Sequence, residues 1–274
     1  MSYLDMDGSK LYYETVGFEK KENETIAFLN GIFMSTSSWR FITPFFVDEY
    51  RVLLHDFMGQ WNSDGLREPY SLTRHADDLK ILLDFLNLKK VHIVGTSYGG
   101  EVGLIFSLKY PDRVRSLTVV SSVSEIRPNL KCMALRWLNA AKTRNPEVFV
   151  NEWFADVYSE KFISTHPDLW ENLVELYRGF DYDSAMRLLE AFMSLETSPI
   201  TPKLGKITIP VLIIAAENDI VKPVEYSIVM SERIPKNLFF VIPSAGHGVV
   251  VEKPKEVSTL ILGFLRILNS WEVW

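Results

Sequence analysis

Short apolar runs, each too brief for a helix, alternate along most of this chain with longer segments of helical spacing, and that alternation admits few folds. Residues 26–29, 52–54, 91–94, 117–120, 211–215 and 239–242 carry no polar alternation. They read as strands buried on both faces, which is the habit of parallel sheets. Between them, Leu72, Ala76, Leu79, Leu82 or Leu83 and Leu86 form one helical stripe, and Val257, Leu260, Ile261, Phe264 and Leu268 form another. The pattern predicts an α/β fold, a mainly parallel sheet with helices on both faces. The first segment differs. Residues 3–6 and 11–16, separated by Asp7-Gly8, suit a short antiparallel hairpin.

The alternation fails between 123 and 205. This stretch has no convincing strand but several helical stripes rich in large side chains, among them Trp137, Phe149, Trp153, Tyr158, Phe162, Tyr177, Phe180 and Phe192. It is expected to be a helical cap inserted in a core built from residues 1–122 and 206–274. Pro199, Pro202 and Gly205 mark its exit. For any one of these aromatics, packing within the cap is the plain expectation. Phe33, Trp137 and Trp153 are the residues expected to touch substrate.

Composition narrows the function. The net charge is −6 with acidic and basic residues interspersed, so no basic stripe exists to neutralise a run of phosphates, and nucleic acid is not expected as a partner. The N-terminus lacks the basic start and apolar run of a signal peptide, and the apolar stretch 260–268 is too short for a bilayer and is broken by Arg266. No membrane is expected, and the chain reads as cytoplasmic. Its single cysteine, Cys132, excludes an intramolecular disulfide and is expected to be a small buried or half-buried side chain. The tail Trp271-Glu272-Val273-Trp274 suits an interface or a plain chain end, so the oligomeric state stays unassigned.

The chemistry centres on Gly95-Thr96-Ser97-Tyr98-Gly99-Gly100, which follows the strand at 91–94 and opens a helix. A bare G-x-S-x-G arises by chance too easily to carry an assignment. The strand–turn–helix setting gives it meaning, because a serine on such a turn projects its hydroxyl above the sheet at a helix N-terminus. A serine hydroxyl needs a base, and the base needs a carboxylate to hold its tautomer. Asp219 stands directly after the strand at 211–215, and His247 directly after the strand at 239–242. Both fall at carboxyl ends of strands, where sites gather in open α/β sheets. Ser97 is therefore the candidate nucleophile, His247 its base and Asp219 the orienting acid, with Glu217 and then Glu125 as alternative acids. Each alone has a plainer reading, Asp219 as a turn residue and His247 as a loop histidine. Their joint order is what favours chemistry.

The backbone N–H groups of Tyr98 and Ile32 are the candidate oxyanion donors. Among the other histidines, His92 reads as a satisfied core residue, His75 as lying on a polar helix face, and His166 as a cap residue. The His55-Asp56 pair reads as structural, before a loop of turn composition. No Cys/His or His/Glu spacing suggests zinc, the Gly-Lys-Ser/Thr phosphate pattern is absent, and no cofactor is expected.

Over nearly its whole length the sequence resembles the α/β-hydrolase superfamily. Gly95–Gly100 looks like its nucleophile elbow, 215–223 like its acid turn, and Ala245-Gly246-His247 with Glu252 and Pro254 like its histidine loop. Asp56 with Gly59 and Ser63-Asp64 resembles a structural Asp-x-x-Gly-x-x-x-Ser segment. Where most members carry His-Gly before the oxyanion loop this chain has Asn30-Gly31, similar to the Asn-Ser of the enol-lactonase branch. The resemblance implies acyl transfer to water, since dehalogenases and epoxide hydrolases carry Asp at the elbow. The expected activity is hydrolysis of small or medium apolar carboxylic esters through an acyl-enzyme. The alternatives are a lactonase, a C–C bond hydrolase, and a ligand-binding receptor or pseudo-enzyme that keeps the three residues. The expected partner is a small-molecule ester or lactone.

Overall fold

The computed structural model describes residues 2–65 and 69–268; the aromatic tail considered above lies outside them. Eight strands form one sheet: β1 (Ser2–Met6), β2 (Ser9–Val16), β3 (Thr25–Leu29), β4 (Arg51–His55), β5 (Val91–Thr96), β6 (Val114–Val120), β7 (Val211–Ala216) and β8 (Asn237–Ile242). Their order in the sheet is β1-β2-β4-β3-β5-β6-β7-β8. The β1–β2 hairpin turns at Asp7-Gly8 with both residues at positive φ, 55° and 89°, as a two-residue turn matched to strand twist requires. Strand β2 meets β4 antiparallel, and every pairing beyond β4 is parallel.

Alternate residues of the central strands feed two cores. Ala27, Leu29, Leu53, Ile93, Leu117 and Val119 face one side, and Ile26, Phe28, Leu54, Val94 and Val120 the other. The first face is covered by α1 (Leu72–Phe85) and α2 (Tyr98–Lys109). Helix α1 starts at Ser71, whose hydroxyl accepts from the Arg74 N–H at 3.0 Å, and its apolar stripe faces the sheet. Helix α2 is buried nearly all round, so its sequence is apolar without a stripe.

Between β6 and β7 the described residues are helical: α3 (Pro128–Lys142), α4 (Pro146–Val157), α5 (Glu160–Thr165), α6 (Leu169–Leu176) and α7 (Tyr182–Met193), with short 3-10 turns. Asn145 and Asp181 cap α4 and α7 with their side chains. The chain then returns through β7, α8 (Val224–Arg233) and β8 to α9 (Val249–Glu252) and α10 (Pro254–Ile267). Helix α10 covers the second face of the sheet with Val257, Ile261, Phe264 and Leu265. Among the described residues no helix is long and apolar enough to cross a membrane.

Three expectations are corrected. Strand β8 is not buried on both faces: Phe240 and Val241 are exposed, because β8 is the edge strand after which nothing in the sheet follows. Cys132 is exposed, since Leu130, Ala134, Trp137 and Leu138 take the inward face of α3. His75 is fully buried rather than on a polar face, because it lies three residues after Leu72 and shares its stripe.

Candidate active site

The parallel register places the functional loops side by side. Leu29 pairs with Gly95, so the loop after β3 emerges next to the turn after β5; Ala216 pairs with Ile242, so the loops after β7 and β8 emerge together. Those last two are laced by Glu217 N–H to Ile242 O at 3.0 Å and Asn218 N–H to Ala245 O at 2.9 Å.

Ser97 sits at φ 50°, ψ −119°, a left-handed backbone costly for a non-glycine residue. Its neighbours hold it there. The Ser97 N–H donates to Val120 O at 2.8 Å, and Ser122 Oγ donates to Ser97 O at 2.7 Å. Glycine is required on both sides: a Cβ at Gly95 would collide with Gly99 O, and one at Gly99 with Leu29 O.

The turn aims Ser97 Oγ at His247 Nε2, 2.9 Å away, and His247 Nδ1 lies 2.8 Å from Asp219 Oδ2. The other Asp219 oxygen accepts the Lys222 N–H at 2.7 Å. Asp219 and His247 are both buried. Of the alternative acids, Glu217 accepts from Ser244 N–H, and Glu125 binds Thr201 and Arg127; neither meets His247. The structure thus joins the three residues singled out from sequence.

The histidine loop is fastened to the helical insertion. Glu252 Oε1 accepts the N–H groups of Gly246 at 3.2 Å and Ser159 at 2.8 Å, its Oε2 accepts the Ser159 hydroxyl at 2.5 Å, and Gly248 N–H donates to Val157 O at 2.8 Å. Glu252 joined the histidine loop by resemblance alone; its tie to the insertion had no sequence signal.

On the far side, Ile32 and Tyr98 both border Ser97. The Tyr98 N–H opens α2 and so has no intrahelical acceptor. The loop carrying Ile32 is braced by Asn30, whose amide donates to Asp56 Oδ1 at 3.1 Å and Gln60 Oε1 at 3.2 Å and accepts Trp39 Nε1–H at 2.8 Å. Gln60 in turn donates to the carbonyls of Gly31 and Ile32 at 2.8 and 2.9 Å. Asp56 also accepts from Thr36 N–H and from both Asn62 donors, so the Asp56 segment is structural as expected. Burial still raises the Asp56 pKa, against the pull of these hydrogen bonds. The Asn30 amide supplies both a donor and an acceptor at the place where the loop needs them.

One neighbour of Ser97 was not anticipated. Lys222, from the acid turn, and Glu101, from the first turn of α2, form an ion pair of 2.8 Å with side chains 3% and 0% exposed. Lys222 Nζ also donates to Ser97 Oγ at 3.1 Å and lies 4.8 Å from the centre of the Phe192 ring. Burial raises the Glu101 pKa, opposed by Lys222 and by the Val123 N–H that Glu101 accepts. Two signals could have revealed the pair: a lone acid in an otherwise apolar helix, and a lysine three residues after the acid whose carboxylate caps its N–H.

Ser97 divides two spaces. A cavity of about 570 Å³ on the His247 side is lined by Phe33, Trp61, Trp137, Trp153, Leu173 and Tyr177 among others. All three residues expected to meet substrate line it. A recess of about 20 Å³ lies on the Lys222 side, bounded by Ile32, Tyr98, Leu130, Met133, Leu189 and Phe192. The aromatic wall is built ring against ring, with Phe149 between Phe33, Tyr177 and Phe180 at centroid distances of 5.0, 5.6 and 5.8 Å.

The remaining histidines stand apart. His92 is a core residue bonded to Ser116 and Glu24, as expected, and His166 is exposed and stacks on Phe162. His55 and His75 flank Phe57 with all four ring nitrogens unbonded, and burial lowers their pKa values to about 4 and about 3. Among the described residues no group of three or more His, Cys, Asp or Glu could hold a metal ion.

Comparison with known proteins agrees with this architecture. MGS-M2, an α/β-hydrolase enzyme from a Medee basin deep-sea metagenome library, superposes with a TM-score of 0.90 at 31% identity, over 96% of this chain and 97% of that one. The enol-lactonase of Burkholderia xenovorans LB400 superposes with a TM-score of 0.88 over 97% of this chain and 100% of that one; at 18% identity it shows the fold alone. A Caulobacter protein of strain K31 named "Putative carbamate hydrolase RutD" is 29% identical over 93% of this chain and 95% of its own length. The model of the α/β-hydrolase fold family matches residues 24–254, and the chain belongs to that family.

Proposed function

We propose that this chain is a serine-type carboxylic ester hydrolase acting on a small molecule through an acyl-enzyme, with no cofactor in the reaction. The observation that supports it is the unbroken hydrogen-bonded line from Ser97 Oγ through His247 to the buried Asp219, opening on an aromatic cavity. In the first step Oγ bonds to the ester carbonyl carbon as its proton passes to His247 Nε2. The N–H groups of Ile32 and Tyr98 hold the oxyanion, the carbon–oxygen bond to the alcohol breaks, and Nε2 returns the proton to the leaving oxygen. In the second step water, deprotonated by Nε2, bonds to the same carbon, and the proton goes back to Oγ as its bond to carbon breaks. Asp219 keeps Nδ1 protonated and supports the imidazolium.

The two spaces set the orientation. The leaving oxygen must lie near Nε2, so the alcohol occupies the cavity that His247 lines and the acyl group turns into the recess. The recess is much the smaller space, about 20 Å³ against about 570 Å³, which makes the acyl part short. The larger cavity favours a bulky apolar alcohol. Residues 123–205 act in this scheme as the cap, with Phe33, Trp137 and Trp153 as alcohol contacts. A second reading draws on the name of the Caulobacter relative: the same two steps would cleave a carbamate.

The test is covalent labelling by a fluorophosphonate together with a panel of chromogenic esters, lactones and carbamates. Labelling at Ser97 and turnover lost in Ser97→Ala are expected. Turnover that survives Ser97→Ala, or a Ser97 that does not label, overturns the proposal.

A further inference from the structure

Lys222 is placed where the recess and the nucleophile meet, and the ester-hydrolase reading does not use it. An ammonium has three N–H donors. One Lys222 donor goes to Glu101 at 2.8 Å and one to Ser97 Oγ at 3.1 Å, while the neighbouring Phe192 ring, 4.8 Å from Nζ, offers only a π face. Once Oγ carries an acyl group it becomes an ester oxygen, a weaker acceptor than a hydroxyl. The donor aimed at it is then left underused in a recess whose lining is mainly apolar, with Leu130, Met133, Trp137, Leu189, Phe192 and Val221 among its residues. An underused buried donor is costly, and an acyl group that satisfies it is favoured.

Charge and size decide which group that is. Glu101 already neutralises Lys222 within the buried pair, so a carboxylate on the acyl group would be buried without a countercharge of its own. A neutral oxygen carries no such cost. The recess is small, about 20 Å³ against about 570 Å³ for the cavity, so that oxygen must stand on the carbon next to the scissile carbonyl. There it is three bonds from Oγ, and one N–H can bridge both oxygens. Resting on the ester-hydrolase reading, we propose that Lys222, held by Glu101, is a specificity-determining donor that selects esters of short 2-hydroxy or 2-oxo acids. An unsubstituted carbamate fits this place poorly, because its amino group sets donors against a donor.

The experiment compares the glycolate, acetate and carbamate of one chromogenic alcohol, with each kcat/KM divided by the rate of the same ester with hydroxide to remove intrinsic reactivity. The wild-type protein is expected to favour glycolate over acetate by about tenfold or more, as a hydrogen bond to a charged group allows, and to place carbamate below acetate. The double variant Lys222→Met/Glu101→Gln removes the pair without leaving a lone buried charge. In it the glycolate preference is expected to fall to about twofold or less while Ser97 still labels. A preference near one in the wild type, or one that persists in the double variant, overturns the proposal. If the double variant does not fold, the wild-type series decides alone: glycolate above acetate with carbamate below it upholds the proposal, and any other order overturns it. Acetate turnover lost in Ser97→Ala without a glycolate preference sinks only the role of Lys222. Absence of labelling and of all turnover sinks the ester-hydrolase reading, and this proposal with it.

Discussion

Around Ser97 the α/β core fixes its groups by short hydrogen bonds between buried partners, whereas the helical insertion presents aromatic rings held by ring-to-ring contact. The Ser97–His247–Asp219 line has two bonds of 2.9 and 2.8 Å, each with one geometry. The wall of Phe149, Trp153, Tyr177 and Phe180 has centroid separations of 4.7 to 6.4 Å and interplanar angles from 29° to 73°. Directional bonds tolerate little displacement, and apolar contact tolerates more. The comparison teaches that the same molecule can fix three polar side chains by directional bonds and line the neighbouring cavity by apolar contact.

The largest expected effect breaks the core side. In Asp219→Asn the amide can hold His247 in the wrong tautomer, so kcat on a chromogenic ester should fall by about 10⁴ with folding preserved. A loss below tenfold would mean that another carboxylate, such as Glu217, supports the histidine.

A smaller effect is expected in stability. His55 and His75 are buried and neutral, with folded pKa values of about 4 and about 3 against an ordinary 6.5. The unfolded chain therefore binds protons first on acidification. The stability these residues contribute is whole above pH 6.5 and declines as pH falls from there toward the folded values, by on the order of 3 to 5 kcal/mol each. The raised carboxyls of Asp56 and Glu101 act with opposite sign, contributing at low pH and losing that contribution as pH rises through their folded pKa values. The histidine part is read as a difference: Tm of the wild type should fall more between pH 7 and 5 than Tm of His75→Leu. Equal slopes would show that His75 is not held neutral.

The smallest effect tests the insertion. Trp153→Ala should raise KM for bulky alcohols by several-fold, about 1 kcal/mol of lost aromatic contact, and leave kcat for a small alcohol nearly unchanged. A fall in kcat for all esters alike would instead give Trp153 a part in holding the reacting groups.

The candidate reacting and oxyanion residues legible in the sequence share one property: each follows a strand. Ser97, Asp219, His247 and Ile32 could be placed because the ends of parallel strands share one edge, so chain position stands in for spatial position. Lys222 and Glu101 escaped because their meeting depends on where side chains point, and a lysine before Pro223 or an acid at a helix start has an ordinary surface role. His75 escaped because charged Arg74, Asp77 and Asp78 around it masked its place in the Leu72 stripe. The order of the strands, and the exposure of β8 that follows from it, is a long-range property that no local pattern carries.

Glu252 gives the insertion a hold on the loop that carries His247. By gathering Ser159 from the insertion and Gly246 from the histidine loop onto one carboxylate oxygen, it makes the two segments share a single point of attachment. Such a joint limits how freely nature or an engineer can exchange the helices between β6 and β7 for others. A transplanted segment must bring its own N–H to the place of Ser159 and its own carbonyl to the place of Val157, or the exchange will also unsettle the loop that carries His247.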